Sequence, residues 1–176
     1  FESKASDWLI WLASFTILAS SILAITKDDL KARLAYSTIS QLSYIILGAA
    51  LATTFAIKGA SFHIITHAIG KITLFFCAGA IYVTAHVKKI SQLNGLGYKT
   101  PLIFFAYTLG ALSIIGVPPF VGSWSKFYLI LGSLEADYLF VAIILGISSL
   151  LNIYYLLEPV FVGFRNKLTK DIHLTN

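Results

Sequence analysis

Charge is scarce in this chain of 176 residues. Asp, Glu, Lys and Arg make up 12% of it, while 57% is hydrophobic. A soluble domain carries about twice that charge. The composition therefore favours lipid surroundings and predicts an all-α membrane protein, because about 20 apolar residues in a helix cross a bilayer core. No Walker loop, zinc motif or nucleophile elbow is present, so no soluble catalytic site is expected.

Sulfur is nearly absent. Cys77 is the only cysteine and there is no methionine. One cysteine excludes an internal disulfide and a cysteine metal cluster, and we expect neither a metal nor a cofactor. The chain begins at Phe1 rather than Met, and its first residues, FESKASDW, do not resemble a signal peptide. We therefore expect residues 1–176 to be a fragment of a longer chain.

Five apolar runs are long enough to cross a bilayer, and we expect them to form one transmembrane domain over 1–176. They are residues 8–26, 34–57, 60–85, 101–131 and 138–161. The fourth run is too long for one straight helix and contains the segment GVPPFVGSWSK. Gly116, Pro118 and Pro119 predict a break in this helix at mid-membrane, because proline lacks an N–H and clashes with the preceding turn.

Lysine and arginine are unevenly divided between the two ends of these spans. With five crossings, one side of the membrane receives two of them, Lys4 and Lys58. The other side receives nine: Lys27, Lys31, Arg33, Lys88, Lys89, Lys99, Arg165, Lys167 and Lys170. A re-entrant fourth span would instead give five against six. Positive charge favours the cytoplasmic side, so five crossings with the nine-residue side cytoplasmic are predicted.

Two lysines, Lys71 and Lys126, fall at membrane depth. A charge near the bilayer centre costs about 2.5–3.5 kcal/mol on insertion scales, and such residues face a bundle interior, water or a partner. No acidic residue lies in the middle of a span. We therefore expect a functional role for both lysines, with any counter-charge outside this chain.

Two histidines precede Lys71 in the segment HIITHAIGK. His63, His67 and Lys71 are four residues apart, so they share one helix face over about 12 Å. Histidine titrates near pH 6.5, and a row of titratable groups that ends at a buried lysine is what a proton relay needs. Four hydroxyl side chains are candidates for holding intervening waters: Ser61, Thr66, Thr73 and Ser125.

Two other interpretations of the histidines remain open. Either one could be a structural hydrogen-bond donor between helices. A bis-histidine haem site would need ligands from opposing helices, but His63 and His67 share a helix. His86 and His173 lie at or beyond the membrane edges and are interpreted as surface residues. Asp28 and Asp29 precede the second span and are expected to act as N-terminal helix charges.

Four segments in order resemble one family, the proton-conducting antiporter-like membrane subunits. They are KDDLKARLAYSTISQLSYIILGAAL (27–51), HIITHAIGKITLFFCAGAI (63–81), ISQLNGLGYKTPL (90–102) and GVPPFVGSWSKFYLI (116–130). This family includes the large membrane-arm subunits of respiratory complex I and the Mrp-type sodium/proton antiporter subunits.

The resemblance implies a longer protein of about fourteen helices in two inverted repeats, of which this chain would be part of the second. It implies that His63, His67 and Lys71 form a proton channel and that Lys126, after the broken helix, connects it to an exit. The first repeat, with its buried glutamate, is absent from these 176 residues.

The double-proline segment is more similar to the D-type subunit of Mrp antiporters than to complex I. The expected function is therefore translocation of H⁺ and a monovalent cation such as Na⁺, together with other hydrophobic subunits, in a bacterial plasma membrane or mitochondrial inner membrane. One alternative is a proton-pumping membrane-arm subunit of NADH:quinone oxidoreductase. Another is a scaffold or gene remnant without transport. No nucleic-acid binding is expected, because the pI of about 9.3 reflects membrane orientation.

Overall fold

The computed structural model describes residues 4–165, with side chains from Asp7 onward, and this part of the chain is built from helices. They are α1 (Lys4–Thr26), α2 (Leu30–Leu51), α3 (Thr54–Ala85), α4 (Leu96–Lys99), α5 (Pro101–Ile115), α6 (Val121–Glu135) and α7 (Leu139–Phe164), with one 3₁₀ turn at Ile90–Gln92. The all-α prediction is confirmed. Four of these helices, α1, α2, α3 and α7, are long and apolar enough to cross a membrane.

The turn between α2 and α3 lies earlier than predicted. The second span was expected to continue to residue 57, but α2 ends at Leu51, and α3 begins at Thr54 instead of residue 60. Ala52 adopts a left-handed conformation with φ of 54°, and the Thr53 side chain accepts a hydrogen bond from the Ala56 backbone N–H. Ala52 and Thr53 therefore reverse the chain without a glycine or a proline. The sequence consequently contains no strong helix breaker that would mark this turn.

The predicted break in the fourth span is observed. Helix α5 ends at Ile115 and is capped by Gly116, whose φ of 87° suits a residue without a Cβ. Pro118 and Pro119 follow, joined by a cis peptide bond, and α6 begins at Val121. Each half has 15 residues, about 22 Å by helix rise, so neither half alone spans the roughly 30 Å core.

Contacts between helix ends show that α5 and α6 together cross the fold. At the end where α5 begins, the Tyr98 hydroxyl donates to the Phe164 carbonyl at the end of α7. At the opposite end, where α6 stops, the Thr53 hydroxyl donates to the Gly132 carbonyl beside the start of α3. The pair α5–α6 therefore runs from one end of the bundle to the other.

The buried interior has two apolar regions. One occupies the half of the bundle near the α1–α2 connection and includes Leu34, Leu74 and Phe104. The other occupies the opposite half and includes Tyr44, Leu47 and Leu129. Buried polar side chains lie between them, mainly on α2, α3, α6 and α7: Ser37, Gln41, His63, His67, Lys71, Ser125, Lys126, Ser148 and Asn152. We call this set the polar layer.

The outside of the bundle is apolar. Phe76, Leu102 and Phe15 are each more than 70% exposed, and many other large hydrophobic side chains share this surface. Such an exterior is unsuited to water and suited to lipid. The structure thus combines an apolar exterior with an interior in which the polar layer lies between two apolar regions.

Candidate functional site

Lys71 lies inside the unbroken helix α3 and is 5% exposed. Its ammonium Nζ donates to two acceptors on α2, the Leu34 carbonyl at 3.1 Å and the Ser37 hydroxyl at 2.7 Å. In an unbroken helix, nearly every carbonyl already accepts a bond from the residue four positions ahead. Lys71 obtains both acceptors from the neighbouring helix α2, where the Leu34 carbonyl accepts the ammonium group in addition to the Thr38 hydroxyl.

Lys126 lies on α6, just after the break, and is 6% exposed. Its Nζ donates to the carbonyl of Ile115 at 2.8 Å. Ile115 is the last residue of α5, and the last carbonyls of a helix have no partner within it. The break thus supplies Lys126 with a backbone acceptor.

Asn152 on α7 provides the second acceptor for Lys126. With its amide oriented so that donors face acceptors, its oxygen receives the Nζ of Lys126 at 3.0 Å and the Nε2 of Gln41 at 2.9 Å. Its nitrogen then donates to the Ser148 carbonyl at 3.1 Å and to the Tyr155 hydroxyl. One amide therefore ties α6, α2 and α7 together within the polar layer.

The histidines lie between the two lysines. His63 Nδ1 is 3.0 Å from the hydroxyl of Ser125, the residue before Lys126. The rings of His63 and His67 are 6.1 Å apart, and Lys71 is one further turn along the same face of α3. The order through the polar layer is therefore Lys126, His63, His67, Lys71.

Each histidine keeps one ring nitrogen available. His63 Nε2 and His67 Nδ1 are buried and have no hydrogen-bond partner among the described residues. Tyr44 covers the other side of His63, with ring centroids 5.2 Å apart, and the Lys126 Nζ lies 5.6 Å from the same tyrosine ring. The arrangement can accept and release a proton at each imidazole.

The four predicted water-holding hydroxyls lie in different places. Ser125 contacts His63 directly, and its hydroxyl is also 2.9 Å from the Gly122 carbonyl. Thr66 is buried and donates to its own helix at Phe62. Ser61 and Thr73 also donate to their own helix, at Ile57 and Ile69, with both hydroxyls on the exposed side. The structure joins only Ser125 to the row of titratable groups.

Sequence reasoning missed several polar side chains of α2 and α7, namely Ser37, Gln41, Asn152 and Tyr155. Gln41 and Asn152 could have been found, since an amide in the middle of an apolar span calls for a partner. Ser37 and Tyr155 carried no such signal, because serine and tyrosine are ordinary residues in membrane helices.

One ion pair is present in residues 4–165, between Arg33 on α2 and Glu158 on α7. Arg33 also donates to the carbonyls of Lys27 at 2.9 Å and Ile25 at 3.3 Å. Neither Lys71 nor Lys126 contacts a carboxylate among the described residues. Both lysines are held by neutral oxygens, so each can lose its proton without leaving an anion unpaired.

No group of three His, Cys, Asp or Glu side chains converges as a metal site within the described part of the chain. His86 is exposed and ends α3 in a left-handed conformation, whereas His173 lies outside the described residues, as do Lys167 and Lys170. Asp29 caps α2 as expected, but Asp28 instead binds Ser91 across two loops.

Comparison with known proteins finds relatives of two kinds. The family described as NADH:quinone oxidoreductase/Mrp antiporter, transmembrane, matches residues 1–152. The chain is 42% identical over 151 residues to NADH-quinone oxidoreductase subunit N of Desulforudis audaxviator, which covers 85% of this chain and 30% of that protein.

Two solved structures share the fold. A chain of the Mrp complex from Dietzia sp. has a TM-score of 0.87 and 30% identity, over 93% of this chain and 30% of that one. A chain of respiratory complex I from Thermus thermophilus with bound NADH has a TM-score of 0.89 at 22% identity, over 97% of this chain and 36% of that one, and shows the fold alone. This chain spans about a third of the length of these relatives. It is a membrane protein and belongs to the NADH:quinone oxidoreductase/Mrp antiporter transmembrane family.

Proposed function

We propose that this chain passes protons through the row Lys126, His63, His67 and Lys71, as an ion-translocating subunit of a larger membrane assembly. One observation carries the proposal. Two lysines are buried in the polar layer and have no carboxylate partner among the described residues. Two histidines lie between them.

The cost of burying these amines supports a functional role. A hydrophobic residue at either position would avoid the insertion penalty of a charge, so a purely structural lysine gains little. The two amines lie in one interior region of low dielectric, where a charge on one disfavours a charge on the other. A proton arriving at one lysine therefore promotes its release from the other, with the imidazoles as intermediate carriers.

In the first form of the proposal, proton movement is exchanged for sodium. The double-proline segment and the 30% identity to a chain of the Mrp complex from Dietzia sp. support this form. The chemistry of the described site fits the proton half of such an exchange. Sodium prefers oxygen ligands with negative charge, whereas the layer presents two amines and neutral oxygens. The sodium pathway would then lie with other subunits or with parts of the protein beyond this chain.

A second candidate is a proton-pumping subunit of an NADH:quinone oxidoreductase. The observation that favours it is the 42% identity to subunit N from Desulforudis audaxviator. In this case the same lysines would act, but quinone reduction elsewhere would drive them. Gentle extraction from native membranes and mass spectrometry of the assembly separates the two candidates. Co-purifying flavin and iron–sulfur subunits favour the oxidoreductase, and a redox-free set of small hydrophobic subunits favours the antiporter.

The transport proposal is tested with Lys71→Met and Lys126→Met in the native assembly. Proton movement is measured in inverted membrane vesicles with a pH-sensitive dye, driven in turn by a sodium gradient and by NADH. We expect each variant to lose at least about 90% of the flux, since one missing carrier interrupts the row, while the protein still inserts.

Lys58→Met is the matched control, because Lys58 is exposed and lies beside Phe55 outside the polar layer. Its flux should equal that of the wild type. Normal flux in both polar-layer variants under both driving forces would reject the proposal and leave the scaffold interpretation.

A further inference from the structure

A cavity of about 280 Å³ lies outside the polar layer, at the predicted cytoplasmic end of α2 and α3. Its walls come from the first residues of α2, the last turns of α3 and the loop that follows. The lining residues are Asp29, Leu30, Lys31, Ala78, Tyr82, Val87 and Lys88. Nothing in the proton row uses this cavity.

Two exposed lysines and one tyrosine dominate its chemistry. The Nζ of Lys88 is 5.0 Å from the centroid of the Tyr82 ring, and the Nζ of Lys31 is 5.5 Å from the same centroid. Both ammonium groups therefore lie within about 10.5 Å of each other by these two distances. Neither forms an ion pair with a carboxylate among the described residues.

The acidic residues nearby are already engaged. Asp29 lines the cavity, but its Oδ1 accepts the backbone N–H of Ala32 at 2.8 Å. Asp28 accepts the backbone N–H and the hydroxyl of Ser91, at 3.0 and 2.8 Å. Lys31 also lies in the first turn of α2, where the helix dipole disfavours a cation and favours an anion. The cavity is thus lined by two ammonium groups and one carboxylate, which belongs to Asp29, and neither lysine forms an ion pair with that carboxylate.

The backbone gives this cavity a fixed frame. The Leu30 N–H donates to the Lys88 carbonyl at 3.0 Å, and the Ile90 N–H donates to the Asp28 carbonyl at 2.8 Å. These bonds join the loop before α2 to the loop after α3. The pairing therefore fixes Lys31, in the first turn of α2, relative to Lys88, in the loop after α3.

A second, apolar groove lies farther along α3. Lys71, Phe75, Ala78 and Tyr82 are spaced so that they share one face of the helix. Beyond Ala78, a groove of about 510 Å³ is lined by Lys71, Ile72, Phe75 and Phe76. From Tyr82 to Lys71 the helix rises about 16 Å, which equals roughly half of a 30 Å hydrocarbon core.

We propose that Lys31, Tyr82 and Lys88 bind the phosphate of an anionic phospholipid, whose acyl chain lies along α3 and covers the groove at Lys71. A phosphodiester complements the two ammonium groups, and tyrosine is suited to the boundary between headgroups and hydrocarbon. The acyl chain reaches the depth of Lys71 and closes the lipid-facing side of the polar layer there. The site stands whether or not the chain translocates protons, because none of its headgroup contacts belongs to the proton row.

The test uses phosphatidylglycerol with a photoactivatable diazirine at the end of one acyl chain, mixed with phosphatidylcholine. The assembly purified from native membranes is reconstituted in this mixture and illuminated, and the labelled peptides are mapped by mass spectrometry. We expect labelling of residues 71–76 in the wild type. Lys31→Gln/Lys88→Gln should lower that labelling roughly tenfold, since each basic side chain at a membrane surface contributes several-fold to anionic lipid binding.

The matched control is Lys27→Gln/Lys58→Gln, which removes the same charge. Each of these lysines also lies over an aromatic ring, Tyr36 and Phe55, but neither lines the cavity. Its labelling should equal that of the wild type. An equal loss in both double variants would show general surface attraction and overturn the site.

Two further outcomes also decide the proposal. Inorganic phosphate is added at matched ionic strength, and loss of labelling would mean that the cavity takes a free anion rather than a lipid. An unlabelled 71–76 segment in the wild-type assembly would mean that another protein surface covers the groove. Either result rejects the lipid assignment, whatever the transport assay gives.

Discussion

Lys71 and Lys126 are equally buried but are stabilised in different ways. Lys71 belongs to a continuous helix of 32 residues and reaches across to the backbone and hydroxyl of α2. Lys126 follows a break and uses the carbonyl that the break releases, together with the Asn152 amide. A buried amine therefore needs acceptors, and the two helices provide them either from a neighbour or from their own interruption.

This difference between the acceptors of the two lysines explains the role of the double proline. The break leaves the Ile115 carbonyl without a partner in its own helix, and this carbonyl is one of the two acceptors of Lys126. The break costs backbone hydrogen bonds but places a free carbonyl beside a charge. Lys71 does not need such a break because Leu34 and Ser37 lie within its reach.

The largest expected effect is a loss of stability at the start of α6, the helix that carries Lys126. A Cβ at Gly122 would lie 1.8 Å from the Ser113 carbonyl oxygen, where α6 starts against the end of α5. Gly122→Ala should therefore displace α6 and destabilise the fold by about 3 kcal/mol, the upper range of overpacking. Thermal unfolding in detergent measures this loss, and a variant as stable as the wild type would contradict the observed contact.

Alanine substitutions at two other glycines provide a comparison for this loss of stability. At Gly70, near Lys71, a Cβ would meet the Ile114 side chain at 2.7 Å, and a side chain can shift more easily than backbone. Gly70→Ala should cost about 1 kcal/mol. A Cβ at Gly146 meets nothing within 4 Å, so Gly146→Ala should not destabilise the protein by packing.

The next prediction compares the side-chain acceptors of the two lysines. Asn152→Leu removes the acceptor shared by Lys126 and Gln41, whereas Ser37→Ala removes one acceptor of Lys71 and leaves the Leu34 carbonyl. Losing a hydrogen bond to a charged group costs about 1.5–3 kcal/mol, and Asn152 also serves Gln41. We expect proton flux to fall more in Asn152→Leu than in Ser37→Ala. The reverse order would show that Lys126 does not depend on α7.

The smallest predicted effect lies outside the polar layer, where the loop before α2 is hydrogen-bonded to the loop after α3. Hydrogen bonds from the backbone and hydroxyl of Ser91 lower the pKa of Asp28 below its ordinary value of 3.8. The folded state favours the charged carboxylate, so this tie is complete above about pH 3.8 and is lost as the pH falls through the lowered pKa.

Hydrogen exchange at the Ser91 amide, corrected for its intrinsic pH dependence, measures this transition. Protection should drop below about pH 3.8 in the wild type. In Asp28→Asn the protection should not change with pH in that range, because the amide does not titrate. An identical pH profile in both proteins would assign the transition to another group. Lys71 and Lys126 should be unaffected, since the tie lies at the end of the bundle.

The sequence predicts the parts of the site that carry unusual residues. Two lysines and two histidines stand out in apolar spans, and Gly116 with Pro118 and Pro119 marks the break. The acceptors of these lysines were not predictable in the same way. Every residue has a backbone carbonyl. Only the packing of the helices decides that those of Leu34 and Ile115 meet an amine. The left-handed Ala52 illustrates the same limit, since a φ of 54° is uncommon for a residue other than glycine and the residue type does not announce it.

The most direct test asks whether an amine at position 126 is what carries the proton. Lys126→Cys is prepared in a Cys77→Ala background, so the new thiol is the only one in the chain. Reaction with 2-bromoethylamine converts it to a lysine analogue, and proton flux is measured before and after. We predict almost no flux before modification and substantial recovery afterwards, with no recovery when a neutral reagent of similar size is used. Full flux in the unmodified cysteine variant would contradict the account.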